Sequence, residues 1–99
     1  MAKGADKAEP VASERQRLDK FLVYARFVKT RGLAADLVKA GHVRLNGDKI
    51  KRPDRAIGRG DVLTLALPHA TLVVEVADFA DRRGAASEAQ NLYVIVQSN

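Results

Sequence analysis

The residues best equipped for chemistry in this sequence are arginines and lysines, and they are concentrated in one stretch. Residues 15–59 contain 13 Arg and Lys against 4 Asp, whereas residues 1–14 and 60–99 carry net charges of −1 and −3, which leaves +5 for the whole chain. A local excess of positive charge of this size attracts polyanions such as nucleic acids, whose phosphates can neutralise it. The stretch therefore predicts binding to a nucleic acid. The alternative is a solvated surface that only keeps the protein in solution.

Arginine and lysine hold phosphate in different ways. Arginine can form a planar, bidentate contact with a phosphate or stack on a base, whereas lysine acts as a mobile point charge. Arg17, Arg26, Arg31 and Arg44 are therefore the predicted specificity residues. Lysines should mainly add salt-sensitive affinity, each neutralised phosphate contributing about 0.7 to 0.9 to the salt slope. The full predicted binding set is Arg17, Lys20, Arg26, Lys29, Thr30, Arg31, Lys39, His42, Arg44, Asn46, Lys49, Lys51 and Arg52.

The other reactive side chains do not form a catalytic or metal-binding pattern. The chain has no cysteine, and His42 and His69 occur in unrelated contexts without a paired carboxylate motif. Asp19 has no second acid or nucleophile beside it, so we expect it to orient neighbouring arginines or to cap a helix start. The sequence therefore predicts no enzyme activity, no metal ion and no cofactor.

Two short helices should present the first part of the basic stretch. Helix one is predicted from Arg17 to about Ala25, because its apolar residues recur every three or four positions. Thr30 is the predicted N-cap of a second helix, and Gly41 suits the left-handed position at its end. The residues that should face the core are Leu18, Phe21, Leu22 and Ala25 in the first helix and Leu33, Ala34, Leu37 and Val38 in the second.

Strands should form the rest of the chain. After Gly41 the apolar period changes to two, and Asn46-Gly47 is a strong hairpin signal with a returning arm at residues 49–51. A turn at residues 58–61 should lead into strands at 62–67 and 71–77. In the tail, Ser87 is the predicted cap of a short helix that continues to Tyr93, with a strand at residues 93–96 as the alternative.

The basic stretch resembles a known family. The run RLDKFLVYARFVKTRGLAADLVKAGHVRLNG, followed by DKIKRPD, is similar to the S-four RNA-binding domain from Arg17 to about Leu67. Its hallmarks are Arg-Leu-Asp opening the first helix, Thr-Arg opening the second, and Gly-His-Val-x-x-Asn-Gly entering the hairpin. The tail DRRGAASEAQNLY further resembles the end of the stand-alone bacterial heat-shock protein fifteen subfamily. This resemblance implies binding to large ribosomal subunits, including subunits obstructed by a nascent chain still attached to tRNA, and a role in recycling them.

Pattern and resemblance together predict an α+β fold. Two N-terminal helices should pack on a small, mostly antiparallel sheet, as in the αL-type RNA-binding motif, with a short C-terminal helix. We expect a flexible arm at residues 1–14, an S-four-type RNA-binding domain at residues 15–67, and a strand and short helix at residues 68–99 that complete the domain.

The predicted function is non-enzymatic binding of structured RNA, namely rRNA of the large ribosomal subunit, with tRNA and weak DNA binding as further options. One alternative is a DNA-binding helix-turn-helix protein, although the apolar second helix leaves few polar side chains to read bases. The other is an RNA-binding accessory subunit of a tRNA or rRNA enzyme. No run approaches the roughly 20 apolar residues of a membrane span, and we expect a cytoplasmic monomer without a membrane partner.

Overall fold

The computed structural model describes residues 14–98, so the predicted arm lies outside the described residues except for Glu14. The chain combines short helices and strands in an α+β arrangement, as predicted. The elements are β1 (Arg15–Arg17), α1 (Leu18–Tyr24), α2 (Arg31–Lys39), β2 (Val43–Leu45), β3 (Asp48–Lys49), β4 (Ala56–Gly58), β5 (Val62–Leu67), β6 (Ala70–Val76), α3 (Ala86–Ala89), a 3-10 turn (Gln90–Leu92) and β7 (Tyr93–Ser98).

A five-stranded antiparallel sheet forms one side of the core, in the order β3-β2-β5-β6-β7. Leu45 of β2 lies opposite Leu63 of β5, which in turn lies opposite Val74 of β6. All three side chains are buried, because residues that face each other across antiparallel strands share one face of the sheet. This inner face belongs to the same apolar core as Phe21 and the other buried residues of the two helices.

Both predicted N-terminal helices are present. Leu18, Phe21 and Leu22 of α1 have no exposed surface. The backbone N–H of Leu33 donates to Thr30 Oγ1 at 3.1 Å, which confirms Thr30 as the N-cap of α2. Gly41 has a φ of 84°, so its predicted left-handed conformation after the helix is also confirmed.

One predicted core position in α2 is wrong. Leu33 is 50% exposed, whereas Ala34 and Val38 are fully buried. Leu33 lies in the first turn of α2 at an open apolar cavity of about 350 Å³, where no element of residues 14–98 covers it.

The β2–β3 hairpin has the predicted tight turn but a shorter returning arm. Asn46 and Gly47 have φ values of 51° and 91°, as a type I′ turn requires, and Leu45 pairs with Asp48 directly across the turn. β3 then ends at Lys49, so Lys51 is not in a strand. The reason is that the following segment turns to α1, where Pro53 accepts a hydrogen bond from the Asp19 N–H at 2.9 Å.

A second, two-stranded ladder was not predicted from the sequence. β1 pairs antiparallel with β4, with Gln16 opposite Ile57. Arg17 is therefore extended, with φ −65° and ψ 138°, and α1 begins one residue later than predicted. The predicted turn at residues 58–61 is correspondingly shorter, because Gly58 still belongs to β4. β1 has the sequence RQR, which contains no apolar residue, so no apolar alternation reveals this strand.

The tail contains both structures that the sequence left open, one after the other. A short helix, α3, is followed by a 3-10 turn and then by strand β7 at the edge of the sheet. The predicted cap is wrong, because Ser87 lies inside α3 and the helix begins after Ala85. Glu88 instead accepts a hydrogen bond from the Ala85 N–H at 3.2 Å. Within residues 14–98, no helix is long and apolar enough to cross a lipid bilayer.

Candidate nucleic-acid interface

A buried carboxylate joins the first turns of the two helices. Asp19 is only 3% exposed, and its oxygens accept two hydrogen bonds from the Arg17 guanidinium, at 3.1 and 2.8 Å. The Lys20 backbone N–H donates to the same carboxylate at 2.7 Å. Arg31, from the start of α2, places Nη2 3.5 Å from Asp19 Oδ2. One acid therefore orients two arginines that lie 14 residues apart in sequence, as the sequence predicted for Asp19.

The charges of this group keep one another ionised. Burial by itself would raise the pKa of Asp19, but the hydrogen bonds from Arg17 and Lys20 and the charges of Arg17 and Arg31 outweigh it and hold the pKa below its ordinary value. The hydrogen bond to Asp19 also raises the pKa of the Arg17 guanidinium. The ion pair is therefore intact at neutral pH.

The segment after the hairpin adds further cations beside this group. The first two N–H groups of α1, from Leu18 and Asp19, donate at 2.9 Å to the carbonyls of Arg55 and Pro53, which fixes the segment against the helix start. Arg52 forms a two-point contact with Asp54, at 3.2 and 3.1 Å, and this contact lowers the pKa of Asp54, to which the Arg17 charge also contributes.

We call the resulting group the basic cluster, and it contains more cations than acids. Its members are Arg17, Arg31, Lys51, Arg52 and Arg55, with Asp19 and Asp54 between them. The five cations exceed the two acids, so the cluster keeps a net positive charge. Arg55 is an addition to the predicted set, and its only signal in the sequence was its place in the basic stretch.

The hairpin carries a second pair of cations. Arg44 and Lys49 lie directly opposite each other on the outer face of β2 and β3, and both are exposed. Arg44 Nη1 is 3.3 Å from the Gly47 carbonyl, which turns the guanidinium towards the tip. The stem of Lys49 runs past Gly41, where a Cβ would lie 3.4 Å from Lys49 Cδ. Lys29, Lys39 and His42 are also exposed.

Two predicted contact residues use their polar atoms within the protein. Thr30 Oγ1 caps α2. The Asn46 side chain accepts a hydrogen bond from the Val62 N–H at 2.9 Å and donates to Asp61 at 3.2 Å. Both residues hold the elements that carry the cations, and their direct contact with a nucleic acid stays a prediction.

Lys20 and Arg26 lie towards the tail, apart from the basic cluster. Lys20 lines a cavity with Tyr24 and Ala80. Arg26 has a φ of 65°, and its guanidinium donates to the Gly84 carbonyl at 2.7 Å. The predicted binding set is thus distributed over more than one surface. Among residues 14–98, no three His, Asp or Glu side chains are grouped to hold a metal ion.

Comparison with known proteins agrees with this architecture. The family model of the S4 domain, called S-four above, matches residues 16–63. Heat shock protein 15 of Escherichia coli (strain K12) is 40% identical over 77 residues, which are 78% of this chain and 57% of that protein. The chain thus spans a little over half the length of this relative.

Two further relatives are covered over most of their length. The RQC P-site tRNA stabilizing factor of Bacillus subtilis (strain 168) is 33% identical over 81 residues, which are 82% of this chain and 92% of that protein. A solved structure of heat shock protein 15 from Vibrio cholerae, described as trimeric, superposes with a TM-score of 0.78 at 38% identity and covers 84% of this chain and 83% of that one. The protein therefore belongs to the S4-domain family, in the group that contains heat shock protein 15.

Proposed function

We propose that this chain is a non-enzymatic protein that binds structured RNA, namely rRNA of the large ribosomal subunit, and acts in the recycling or rescue of stalled subunits that carry a nascent chain and tRNA. The observation that carries the proposal is the Arg17–Asp19–Arg31 group within the basic cluster. The name of the Bacillus relative, an RQC P-site tRNA stabilizing factor, supports a ribosomal setting with tRNA as a second RNA partner. A ribosomal partner in turn places the protein in the cytoplasm.

The basic cluster suits phosphate recognition more than base reading. Double-helical RNA hides its deep groove from side chains, so proteins recognise it mainly through phosphates, 2′-hydroxyls and shape. Arg17 and Arg31 keep 46% and 50% of their side-chain surface exposed while Asp19 fixes their position. Oriented but accessible guanidinium groups can form bidentate phosphate contacts with a smaller loss of side-chain entropy.

The test is co-sedimentation with purified large ribosomal subunits across a range of salt concentrations. The variant removes three predicted contacts, by Arg17→Ala, Arg31→Ala and Arg44→Ala. The matched control removes three positive charges outside the predicted set, by Lys3→Ala, Lys7→Ala and Arg83→Ala. We expect the wild type and the control to sediment with the subunit and the folded variant to stay at the top of the gradient. Removing three phosphate contacts should also lower the salt slope by roughly two to three.

Two results would overturn the proposal. If the folded variant binds subunits as well as the control does, the arginines are not the contact. If even the wild type stays at the top at low salt, the large subunit is not the partner, and tRNA becomes the next RNA to test.

The two alternative functions make different predictions. As a DNA-binding protein the chain would bind duplex DNA as tightly as duplex RNA of equal length, whereas the RNA proposal allows only weak DNA binding. The exposed start of α2 offers Arg31, Gly32 and Leu33, of which only Arg31 can donate to a base edge. As an accessory subunit it would co-purify in fixed ratio with a tRNA- or rRNA-modifying enzyme, which affinity purification from cells tests.

The assembly state belongs to the same proposal. We infer that the chain binds RNA as a monomer, because the arginines of the basic cluster all come from one chain. The Vibrio relative, described as trimeric, is the counter-example. Light scattering on the eluting protein, with and without bound RNA, gives the mass directly, and a mass of three chains in the RNA complex would contradict the inference.

A further inference from the structure

A groove runs along α1 on the side that faces the tail. Its larger part is a cavity of about 500 Å³ between α1 and residues 79–81, lined among others by Arg15, Gln16, Lys20 and Tyr24. Beyond Tyr24 it adjoins a second cavity of about 210 Å³. Ala80 and Asp81 line both parts, and the basic cluster lines neither. The larger cavity has the size of a small-molecule site.

Tyr24 is the aromatic residue at the centre of this groove. Its side chain is half-buried against the core and lines both cavities. Phe21 and Phe79 contact each other edge to face, and Phe27 packs on Tyr93. Among residues 14–98, Tyr24 is thus the aromatic side chain without a ring or cation partner. An aromatic ring in a groove is the feature on which unpaired RNA bases stack.

The polar groups around Tyr24 include cations for a phosphate and a hydrogen-bond acceptor for a donor on the nucleotide. Lys20 has no acidic partner within residues 14–98, and Arg15, 58% exposed, reaches only Asp61 at 3.9 Å. These two cations can hold a phosphate. Gln16 is fixed by its Nε2 donating to the Ala80 carbonyl at 2.7 Å, while its buried Oε1 accepts no hydrogen bond from the described residues. That oxygen is an acceptor for a donor on a ligand.

The net charge of the groove distinguishes it from the basic cluster. Arg15, Lys20 and Arg82 are offset by three acids, of which Glu14 is itself paired with Arg59 at 2.7 Å. The other two acids are Asp81 and Glu88. A nearly neutral groove does not attract a run of phosphates. Its affinity should come mainly from stacking and hydrogen bonds, with one phosphate contact, so salt should weaken it less than binding to the basic cluster.

We propose that this groove binds one unstacked nucleotide of a single-stranded RNA segment, with the base on Tyr24 and its phosphate on Lys20 and Arg15. The inference rests on the proposed RNA-binding function and adds a single-stranded contact beside the duplex-binding cluster. A free mononucleotide has the same chemistry, so the test must separate the two sources.

The experiment measures binding of a fluorescein-labelled single-stranded hexa-adenylate to the full chain by fluorescence anisotropy. Tyr24→Leu removes the ring, Tyr24→Phe keeps it, and the double variant Arg17→Ala, Arg31→Ala removes the duplex contact. We expect Tyr24→Leu to weaken hexamer binding roughly tenfold, as the loss of one stacked base does, and Tyr24→Phe to bind like the wild type. The double variant should keep hexamer binding and lose binding to the large subunit.

The controls make the inference falsifiable separately from the proposed function. Thermal melting must show that Tyr24→Leu and the double variant are folded, because the double variant leaves the buried Asp19 without its arginines. If Tyr24→Leu is not folded, Lys20→Ala replaces it, since Lys20 lines the groove outside the apolar core and its loss should weaken hexamer binding as well. The inference fails if Tyr24→Phe weakens binding as much as Tyr24→Leu or if neither does. It also fails if the double variant loses the hexamer, which would assign that binding to the basic cluster and leave the proposed function standing. Competition by adenosine monophosphate at concentrations below the hexamer's Kd would instead identify a free-nucleotide site and overturn the strand proposal.

Discussion

Replacing Asp19 by asparagine tests whether the buried carboxylate positions the arginines for RNA. Asn has nearly the same shape, and its side-chain oxygen can still accept the Lys20 N–H, now at 2.7 Å from Asp19 Oδ1. What the substitution removes is the charge that holds Arg17 and Arg31. The two possible roles of Asp19, as a positioning group and as a simple negative charge, then predict opposite changes in RNA affinity.

The cost in stability follows from the lost hydrogen bonds. A hydrogen bond to a charged group contributes about 1.5–3 kcal/mol, but solvent takes over much of it when the partner is exposed. Because both arginines are about half exposed, we expect Asp19→Asn to lower the free energy of unfolding by only about 1–2 kcal/mol. For a domain of this size that corresponds to a melting temperature roughly 5–15 °C lower.

RNA affinity separates the two roles. The variant raises the net charge from +5 by one, so charge alone predicts tighter binding. If Asp19 positions the arginines, both side chains must be ordered on binding, at about 0.5–1.5 kcal/mol each, and the affinity falls roughly fivefold or more. Asp36→Asn is the matched control, because Asp36 is an exposed acid of α2 that forms no ion pair within residues 14–98. If folded Asp19→Asn binds large subunits as tightly as Asp36→Asn, the positioning argument is refuted.

The pH dependence of stability gives an independent check on the same residue. The pKa of Asp19 in the folded protein is lowered, so its ionisation stabilises the fold above the unfolded pKa of about 3.9. That contribution is lost as the pH falls through the folded pKa. Urea unfolding from pH 7 to pH 2 should therefore show wild type and Asp19→Asn converging in acid. Both proteins should still lose stability there, because the pKa values of Asp54 and Asp78 are lowered as well, by hydrogen bonds from Arg52 and Arg59.

Two further predictions concern the elements that carry the cations. Thr30→Ala removes the cap of α2 and should lower the free energy of unfolding by about 1 kcal/mol in urea titration. Thr30→Ser keeps the hydroxyl and should have a stability near that of the wild type. Equal losses of stability in both variants would contradict the capping role. Gly47→Ala should cost about 1–2 kcal/mol although nothing lies within 4 Å of the added Cβ, because φ is 91°. Gly32→Ala is the opposite case, because the added Cβ in α2 meets only Thr30 Oγ1 at 3.8 Å and alanine favours the helix, so this variant should gain up to about 1 kcal/mol of stability. If Gly47→Ala and Gly32→Ala change the stability in the same direction, backbone conformation is not the cause.

The parts of the fold that the sequence predicts are those decided by local chemistry. Thr30 accepts a hydrogen bond from the N–H of Leu33, only three residues later. Asn46 and Gly47 adopt the positive φ values of the turn that they themselves form. The β1–β4 ladder depends on partners about 40 residues apart, and β1, with the sequence RQR, has no apolar residue, so no periodicity reveals it. The same limit applies to the candidate site. Asp19 was predicted to orient arginines, but its position next to the segment of Pro53 and Arg55 arises from long-range hydrogen bonds.

The basic stretch, residues 15–59, and the acidic residues 60–99 have different roles in the structure. Three side chains of the basic stretch contact the segment of residues 79–84. Gln16 donates to the Ala80 carbonyl, Arg26 donates to the Gly84 carbonyl, and Phe21 packs edge to face on Phe79. Residues 16–63 therefore depend on this segment to fix α1, and the buried Val74, Val76 and Leu92 complete their core. A positively charged support would compete with the basic cluster for the same phosphates. Residues 60–99, with a net charge of −3, can hold α1 in place without competing with the cations of residues 15–59, which form the proposed surface for RNA.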